Sequence, residues 1–457
     1  MHYEKFHDGT VKCIEDEIPF ELPVGWGWCR LSEVSKYISD GDHQAPPQTD
    51  NGIPFLVISD ISQGYLNFNN TRFVDREYYN GISENRKPQK GDLLFTVTGS
   101  YGIPVLVNEN KEFCFQRHIA IIRPIIITNF FLLYALGTSY IKSICDKRST
   151  GTAQKTVPLT TLRNLVIPIP PILEQHRIVS KLNELISLVD NIESDKAALK
   201  TTIQLTKSKI LDLAIRGKLV PQDPDDEPAS VLLDRIRAEK EELIRQGKIK
   251  RDKKESVIFK GDDNSYYEKI GDTVTCIDGE LPFELPDEWS WCRGSSCFLP
   301  MESRKPSGSH FKYIDIDSID NKHQTIKEAK ITETAKAPSR ASRAVFDGSV
   351  LFSLVRPYLK NIALVGSDNA DGIASTGFYV ATSNEIFLPE YLYLLMISDY
   401  VVDGLNQFMK GDNSPSISKG NIEKWLYPVP PIREQMRIAE ICNNMIAILE
   451  NIEKSLN

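Results

Sequence analysis

Residues 168–193 read PIPPILEQHRIVSKLNELISLVDNIE, and residues 428–453 read PVPPIREQMRIAEICNNMIAILENIE. Of these 26 aligned positions, 13 are identical, far more than unrelated sequences would share. A second pair of stretches lies upstream: residues 10–30 read TVKCIEDEIPFELPVGWGWCR, and residues 273–293 read TVTCIDGELPFELPDEWSWCR, with 14 of 21 positions identical. The chain therefore contains one sequence frame twice.

The two copies of this frame enclose segments that differ from each other. Residues 31–167 and 294–427 have nearly equal lengths, 137 and 134 residues, but their sequences are largely unrelated. A solenoid would show many short repeats. Two long copies instead predict a pseudo-twofold arrangement within one chain, the single-chain counterpart of a symmetric dimer.

The downstream stretch of each copy has the apolar spacing of a coiled coil. Apolar residues recur at alternating steps of four and three after the Pro-Pro pairs, which predicts a 3.5-residue seam. The first helix should run from Pro171 to Gly217, roughly 65–70 Å, and the second, which reaches Asn457, roughly 39 Å. We expect the two helices to pair with each other antiparallel; alternatively, each packs on its own insert. The predicted seam consists of Ile178, Leu182, Leu185, Val189, Ile192, Leu199, Ile203, Ile210 and Leu213 in the first helix and of Ile438, Cys442, Met445, Leu449, Ile452 and Leu456 in the second.

Composition and charge limit the possible functions. The chain has 457 residues, 41% hydrophobic and 25% charged, which suits globular domains and excludes wholesale disorder. Its formal net charge is −8. The chain as a whole therefore repels nucleic acid, and a nucleic-acid role requires basic residues gathered locally.

Sequence motifs of catalysis are missing. The sequence has no P-loop, no dinucleotide-binding glycine motif after a strand and no nucleophile elbow. Its seven histidines and eight cysteines show no metal-ligand spacing. It also has neither an N-terminal signal peptide nor an apolar run long enough to span a membrane, so we expect reduced thiols and a cytoplasmic location.

Two motifs, each present twice, resemble a known family. Leu-Pro-x-x-Trp-x-Trp occurs at 22–28 and 285–291, and Pro-x-Pro-Pro-Ile-x-Glu-Gln-x-Arg-Ile occurs at 168–178 and 428–438. Together with Arg-Gly-Lys-Leu-Val-Pro-Gln at 216–222, they resemble the specificity subunit of type I restriction-modification enzymes. The resemblance covers nearly the whole chain, although residues 198–222 have no counterpart in the second copy.

The resemblance implies an α/β (α+β) fold with two target-recognition domains in tandem, separated by an antiparallel two-helix coiled-coil spacer. The expected segments are a first recognition domain (1–167), a first long spacer helix (168–217), a charged linker with a helix (218–265), a second recognition domain (266–427) and a second spacer helix (428–457). The basic run 248–254 in the linker is either a phosphate-contacting arm or a solvated connection.

The resemblance also implies partners and a division of labour. Each recognition domain would bind one half of a split sequence in double-stranded DNA. Two methyltransferase (modification) subunits, using S-adenosylmethionine, and two motor-nuclease (restriction) subunits, using ATP and Mg²⁺, would carry the chemistry. The chain itself would have no catalytic residue, metal or cofactor, and no membrane partner.

Candidate DNA-binding residues come from basic and polar stretches in each insert, because phosphate contacts fix register and side-chain donors and acceptors read bases. In the first insert they are His43, Gln44, Arg117, Lys147, Arg148, Thr152, Gln154 and Lys155. In the second insert they are Arg304, Lys305, Arg343, Arg356, Tyr358, Lys360, Lys410 and Ser414. The repeated tryptophans are expected to pack in the core and not to stack on bases.

Three other functions remain open from the residues alone. The chain could be the specificity subunit of a related nuclease-methyltransferase system. It could be a two-headed coiled-coil scaffold that binds proteins and not DNA, or an enzyme with an unrecognised site.

Overall fold

The computed structural model describes residues 1–41, 46–152, 154–248 and 255–456. These residues form two compact units, Met1–Glu193 and Ser194–Asn457. The first long helix, Ile172–Ile215, begins in the first unit and ends in the second. The boundaries of the recognition domains, spacer and linker stay predictions.

The first unit has a mixed sheet-and-helix architecture. Its insert is centred on the strands Leu93–Thr96 and Ile119–Pro124, which pair antiparallel. Both are apolar and largely buried, as expected for central strands. The strands of this unit are Tyr3–Lys5, Val11–Cys13, Gly27–Arg30, Ser35–Asp40, Ile53–Leu56, Arg72–Val74, Leu93–Thr96, Pro104–Leu106, Cys114–Phe115, Ile119–Pro124 and Val166–Ile169. Its shorter helices are Arg76–Gly81, Asn129–Leu136, Ser139–Arg148 and Leu159–Arg163.

The second unit contains the second insert, the linker helix and the second long helix. Its strands are Ser256–Lys260, Tyr266–Ile270, Thr273–Cys276, Ser290–Arg293, His310–Ile314, Ile319–Asp320, Thr325–Ile326, Lys330–Glu333, Ala341–Ala344, Val350–Ser353, Ile362–Leu364, Ile373–Ser375, Phe378–Ala381 and Leu426–Val429. Its helices are Ala229–Arg245, Gly294–Cys297, Pro389–Ile397, Asp399–Asn406, Lys419–Lys424 and Ile432–Ser455.

The two inserts share strand pairings although their sequences are largely unrelated. In the first insert, Leu93–Thr96 lies between two antiparallel neighbours, and Phe55 pairs parallel with Cys114. In the second, Val350–Ser353 likewise lies between two antiparallel neighbours, and Tyr313 pairs parallel with Ile373. Both inserts, which we call the heads, are therefore built on one mixed α/β plan.

In each copy of the frame, the stretch before the insert pairs with the stretch after it as one short antiparallel ladder. Gly27–Arg30 pairs with Val166–Ile169, which places Trp28 opposite Pro168. Ser290–Arg293 pairs with Leu426–Val429 in the same register, with Trp291 opposite Pro428. The Trp-x-Trp and Pro-x-Pro-Pro motifs recur together because they are the two sides of this ladder.

The second long helix runs antiparallel to the part of the first that lies in the second unit. Lys207 Nζ lies 3.0 Å from Glu453 Oε2, while Gln222, further along the chain, contacts Glu434, near the start of the second helix. Ile210 and Ile438 belong to the same apolar core. The two segments therefore bury their facing sides together.

The predicted seam does not have a uniform environment. Ile178 packs against the core of the first insert, and Ile438 lies within the core of the second unit. Leu185, Val189 and Ile192 are 46%, 52% and 57% exposed. At Ile178, therefore, the first long helix packs on its own insert, which was the alternative to helix pairing. The coiled-coil spacer as a whole stays a prediction.

Candidate nucleic-acid interface

A short loop at residues 150–156 presents polar and basic side chains in the first insert. Thr150 and Thr156 bond to each other across its base, and the backbone N–H of Gly99 donates to the carbonyl of Lys155 at 3.0 Å. The described loop side chains Thr152, Gln154 and Lys155 are exposed. The loop backbone is therefore fixed at its base, while its polar and basic side chains face solvent.

The helix that leads into this loop adds positive charge. Lys147 and Arg148 lie in the last turn of Ser139–Arg148 and are exposed. Cations are favourable there because the helix C-terminus carries partial negative charge. The nearby acid, Asp146, accepts from the Tyr101 hydroxyl at 2.8 Å and pairs with Lys142, and these contacts lower its pKa.

Arg117 lies next to the same loop. It is exposed in the turn that connects Cys114–Phe115 to Ile119–Pro124. The neighbouring His118 accepts a backbone hydrogen bond from Val97 at 2.9 Å, and Thr98, the next residue, bridges to Thr156. Burial lowers the pKa of His118, and Arg117 lowers it further. We call the exposed set the first basic surface: Arg117, Lys147, Arg148, Thr152, Gln154 and Lys155.

The second insert carries an equivalent loop, residues 410–416. Lys410 and Ser416 bond to each other across its base, as Thr150 and Thr156 do. Arg356 braces the loop: its backbone N–H donates to Pro415, and its guanidinium donates to the carbonyl of Asn413, both at 2.8 Å. We call its exposed set the second basic surface: Arg356, Tyr358, Lys410 and Ser414.

Three predicted contacts of the second insert are only partly exposed. Lys360 Nζ lies 2.6 Å from Asp399, and Lys360 has a left-handed backbone, φ +52°. The Arg304 guanidinium lies over the Phe346 ring, 5.5 Å from its centre. Arg343 is in strand Ala341–Ala344, and its Nε is buried. DNA contact by these three residues stays a prediction.

The remaining predicted residues are simpler to place. Lys305 is exposed in the segment before strand His310–Ile314. His43 and Gln44 lie outside the described residues, as does most of the basic run of the linker.

The frame tryptophans of the second unit are core residues, as predicted. Trp289 and Trp291 are 3% and 1% exposed, and Trp291 packs with Phe283 and Tyr400. The equivalent cluster in the first unit contains Phe20, Trp28 and Tyr140.

Sequence reasoning missed the role of the frame arginines. Arg30 binds Glu4 through two hydrogen bonds of 3.0 and 2.7 Å and binds Glu17 at 2.6 Å. Arg293 makes the same contacts with Glu268 and Glu280. Both arginines join their head to the hairpin that precedes it. The same charged residue at the same position in both copies of the frame was the signal that could have identified them.

The described part of the chain lacks two further features. No helix there is long and apolar enough to cross a membrane. Among the same residues, no group of three or more His, Cys, Asp or Glu side chains is arranged to hold a metal ion.

The fold and surfaces describe an internally duplicated protein. Its two heads share one mixed α/β plan, and each has a polar loop closed at its base with basic side chains on or beside it. Comparison with known proteins gives a specific relationship. Residues 23–201 match the family described as "Type I restriction modification DNA specificity domain". The chain is 25% identical to the specificity subunit of the type I restriction enzyme EcoAI of Escherichia coli, over 96% of this chain and 82% of that protein. It is also 25% identical to the EcoEI specificity subunit of Escherichia coli, over 98% and 82%.

Solved structures share this fold. The crystal structure of the HsdS subunit from Thermoanaerobacter tengcongensis superposes with a TM-score of 0.56 at 18% identity, covering 96% of this chain and 95% of that one. A chain from a study of complex assembly and conformational transition of the type I R-M system superposes with a TM-score of 0.61 at 18% identity, covering 96% and 94%. The protein belongs to the specificity subunits of type I restriction-modification enzymes.

Proposed function

We propose that each insert of this specificity subunit binds one half of a bipartite target in double-stranded DNA. The observation that carries the proposal is the equivalent placement of the two loops, 150–156 and 410–416, on heads with the same strand pairings. A two-part target needs two independent readers, and the differing insert sequences supply different side chains at equivalent places.

The chemistry of the two surfaces suits groove recognition. Lysine and arginine at positions such as Lys155 and Arg356 would bind phosphates and fix the register of each head. Gln154 carries an amide, which can bond to adenine through both its donor and its acceptor. Because the whole chain is net negative, binding would depend on these local clusters and would weaken as salt increases.

The long helices would set the gap between the two half-sites. Ten base pairs of B-DNA span about 34 Å, which is comparable to the ~36 Å of the 24-residue second helix. A stiff connection of this length would keep the two heads about one helical turn apart. Once one head is bound, the second would act at high effective concentration, so two short contacts would give one specific site.

Catalysis would come from the partners. Two modification subunits would methylate adenine with S-adenosylmethionine, and two motor-nuclease subunits would use ATP and Mg²⁺ for cleavage. This chain would contribute recognition and no cofactor of its own.

Insert exchange tests the proposal. Residues 294–427 would be replaced by the corresponding insert of a relative, and the adenine methylation pattern would be sequenced in cells that also express the modification subunits. We expect one half-site to change while the other half-site and the gap stay the same. A change in both half-sites would overturn the two-reader proposal. Failure of the complex to bind any specific DNA would favour the scaffold alternative.

A further inference from the structure

The second unit holds an extended segment, residues 216–229, which we call the strap. It follows directly on the first long helix and lies against the frame of the second unit. Gln222 Nε2 donates to Glu434 Oε1 at 2.7 Å, and Asp226 accepts two hydrogen bonds from the guanidinium of Arg437. At its end, the backbone N–H of Ala229 donates to the carbonyl of Glu288 at 2.9 Å.

The strap completes a buried polar site. Glu434, 1% exposed, accepts from Trp289 Nε1 at 2.8 Å through the oxygen that does not bind the strap. Gly217 of the strap has φ +64°, and a Cβ there would lie 2.4 Å from the Pro286 ring. Arg216 covers the Phe283 ring, 4.4 Å from its centre. The strap thus fills the surface that the second frame presents.

The first unit presents the same side chains. By the sequence alignment of the two frames, Phe20, Pro23, Trp26, Glu174 and Arg177 correspond to Phe283, Pro286, Trp289, Glu434 and Arg437. We call these five residues the first strap site. The strap motif Arg-Gly-Lys-Leu-Val-Pro-Gln occurs once in the sequence.

The first strap site has unused bonding groups. Trp26 Nε1 is buried, and no hydrogen-bond partner for it lies among the residues that the structure describes. Within the same ranges, the side chains of Glu174 and Arg177 make no hydrogen bond or ion pair. Phe20 is 49% exposed, and Val24, which aligns with Asp287, is fully exposed. An unsatisfied buried N–H destabilises the folded chain, so an occupant that orders Glu174 beside Trp26 would be stabilising.

We propose that the first strap site binds an extended peptide of the strap kind, formed by a segment other than residues 216–229. Its required chemistry follows from the occupied site: an Arg-Gly pair, a glutamine six residues after the arginine and a carboxylate four residues after the glutamine. The glutamine would bond to Glu174, and the carboxylate to Arg177. The occupant would be another segment, because residues 216–229 are held in the second unit at both ends, by the long helix and by Ala229.

A synthetic peptide of residues 214–229, with a benzophenone amino acid replacing Leu219, provides the test. It would be photolysed with the full-length chain, and the cross-linked fragments would be identified by mass spectrometry. We expect cross-links to residues 20–28 and 172–179. Cross-links confined to the second frame would overturn the proposal, because they would show exchange with the resident strap only.

Affinity measurements with the same peptide provide a second, independent readout. A peptide carrying Q222L and D226L should bind at least about tenfold more weakly, since it lacks both bonds to charged groups. The chain variant E174A/R177A should show the same loss, whereas K181A/E184A, which removes an exposed ion pair on the same helix, should bind normally. Equal binding by the wild-type chain and E174A/R177A would overturn the proposal.

Discussion

Gln175 and Gln435 make equivalent hydrogen bonds in the two halves of the chain. The Gln175 side-chain oxygen accepts from the backbone N–H of Thr128 at 2.9 Å, and its amide donates to the carbonyl of Pro170 at 3.0 Å. Gln435 likewise accepts from Leu388 at 2.8 Å and donates to Pro430 at 3.0 Å. Each amide joins the start of a long helix to the start of a helix in the adjacent insert. The Glu-Gln part of the repeated motif is therefore a structural joint between frame and insert.

Removing the buried amide at this joint should destabilise the second unit. Gln435 is fully buried and also donates to the carbonyl of Ile386 at 2.9 Å. Q435L keeps the size of the side chain but leaves one N–H and two carbonyls without their partner, at an expected cost of about 2–4 kcal/mol. Urea denaturation followed by circular dichroism measures this cost. The exposed neighbour Met436 provides the control M436L; an equal loss in both variants would contradict the joint.

The carboxyl of Glu434 should make stability depend on pH. Burial raises the pKa of Glu434 in the folded chain above its ordinary value of 4.5. A raised pKa means that the folded state holds the proton more tightly than the unfolded state does. The stability gained from the protonated carboxyl is therefore fully present below the pKa of the unfolded state and is lost as pH rises through the pKa of the folded state. The stability of the wild type relative to E434Q should therefore fall as pH increases above 4.5. Unfolding free energies from pH 4 to 8 test the sign, and a difference that grows with pH would contradict it.

Helices of this protein could be predicted closely because their signals are local. The Pro-Pro pair and Gly217 bound the first long helix, which runs from Ile172 to Ile215. The helix Ala229–Arg245 also lies within residues 218–265, where a linker with a helix was expected. Prolines at the start, a glycine at the end and a continuous apolar period act within a few residues of each other.

Pairing of strands over long sequence distances was not predictable. Strands as short as Cys114–Phe115 carry no usable period, and that strand pairs with Phe55 and Leu56, far upstream. Lys360 was predicted to contact DNA because it stands in a basic stretch, yet its ion-pair partner is Asp399, which the sequence gives no reason to place nearby. Heptad spacing, similarly, does not say which surface a seam residue meets. Local patterns therefore identify candidates, and tertiary contacts decide which side chains remain available.

Arg30 should stabilise the first unit in a pH-dependent way. Its hydrogen bond lowers the pKa of Glu17 to about 2, so this contribution is present above the ordinary glutamate pKa and is lost as pH falls toward 2. R30M would leave Glu4 and Glu17 without their shared cation, costing about 2 kcal/mol at neutral pH. Thermal unfolding at pH 7 and pH 3 measures the effect, which should be smaller at pH 3. R30K tests geometry, because lysine retains the charge but not the planar fork; full recovery by R30K would contradict a geometric role.

Neutralising the first basic surface should weaken DNA binding and its dependence on salt. The variant K147A/R148A/K155A removes up to three phosphate contacts, so the slope of log K against log salt should decrease in magnitude by up to about 2.7. Affinity should fall about tenfold or more, across specific and nonspecific DNA alike. Titrations with the complex of this chain and its modification subunits measure both quantities. K5A/K36A/K90A removes three exposed lysines elsewhere in the same unit, and an equal effect of that variant would show that only net charge matters.

Lengthening both long helices should lengthen the gap between the half-sites. One heptad inserted between Glu193 and Ser194, and another after Ile448, would add about 10.5 Å of helix to each, equivalent to about three base pairs of B-DNA. Insertion of seven residues after Gly247 extends the chain without extending either long helix, so it should leave the gap unchanged. Methylation-site sequencing in cells that express each variant with its modification subunits reports both half-sites and the gap. If the heptad variant methylates sites with the original gap, the helices do not set the distance, and the spacing must then be fixed by contacts of the heads with the partner subunits.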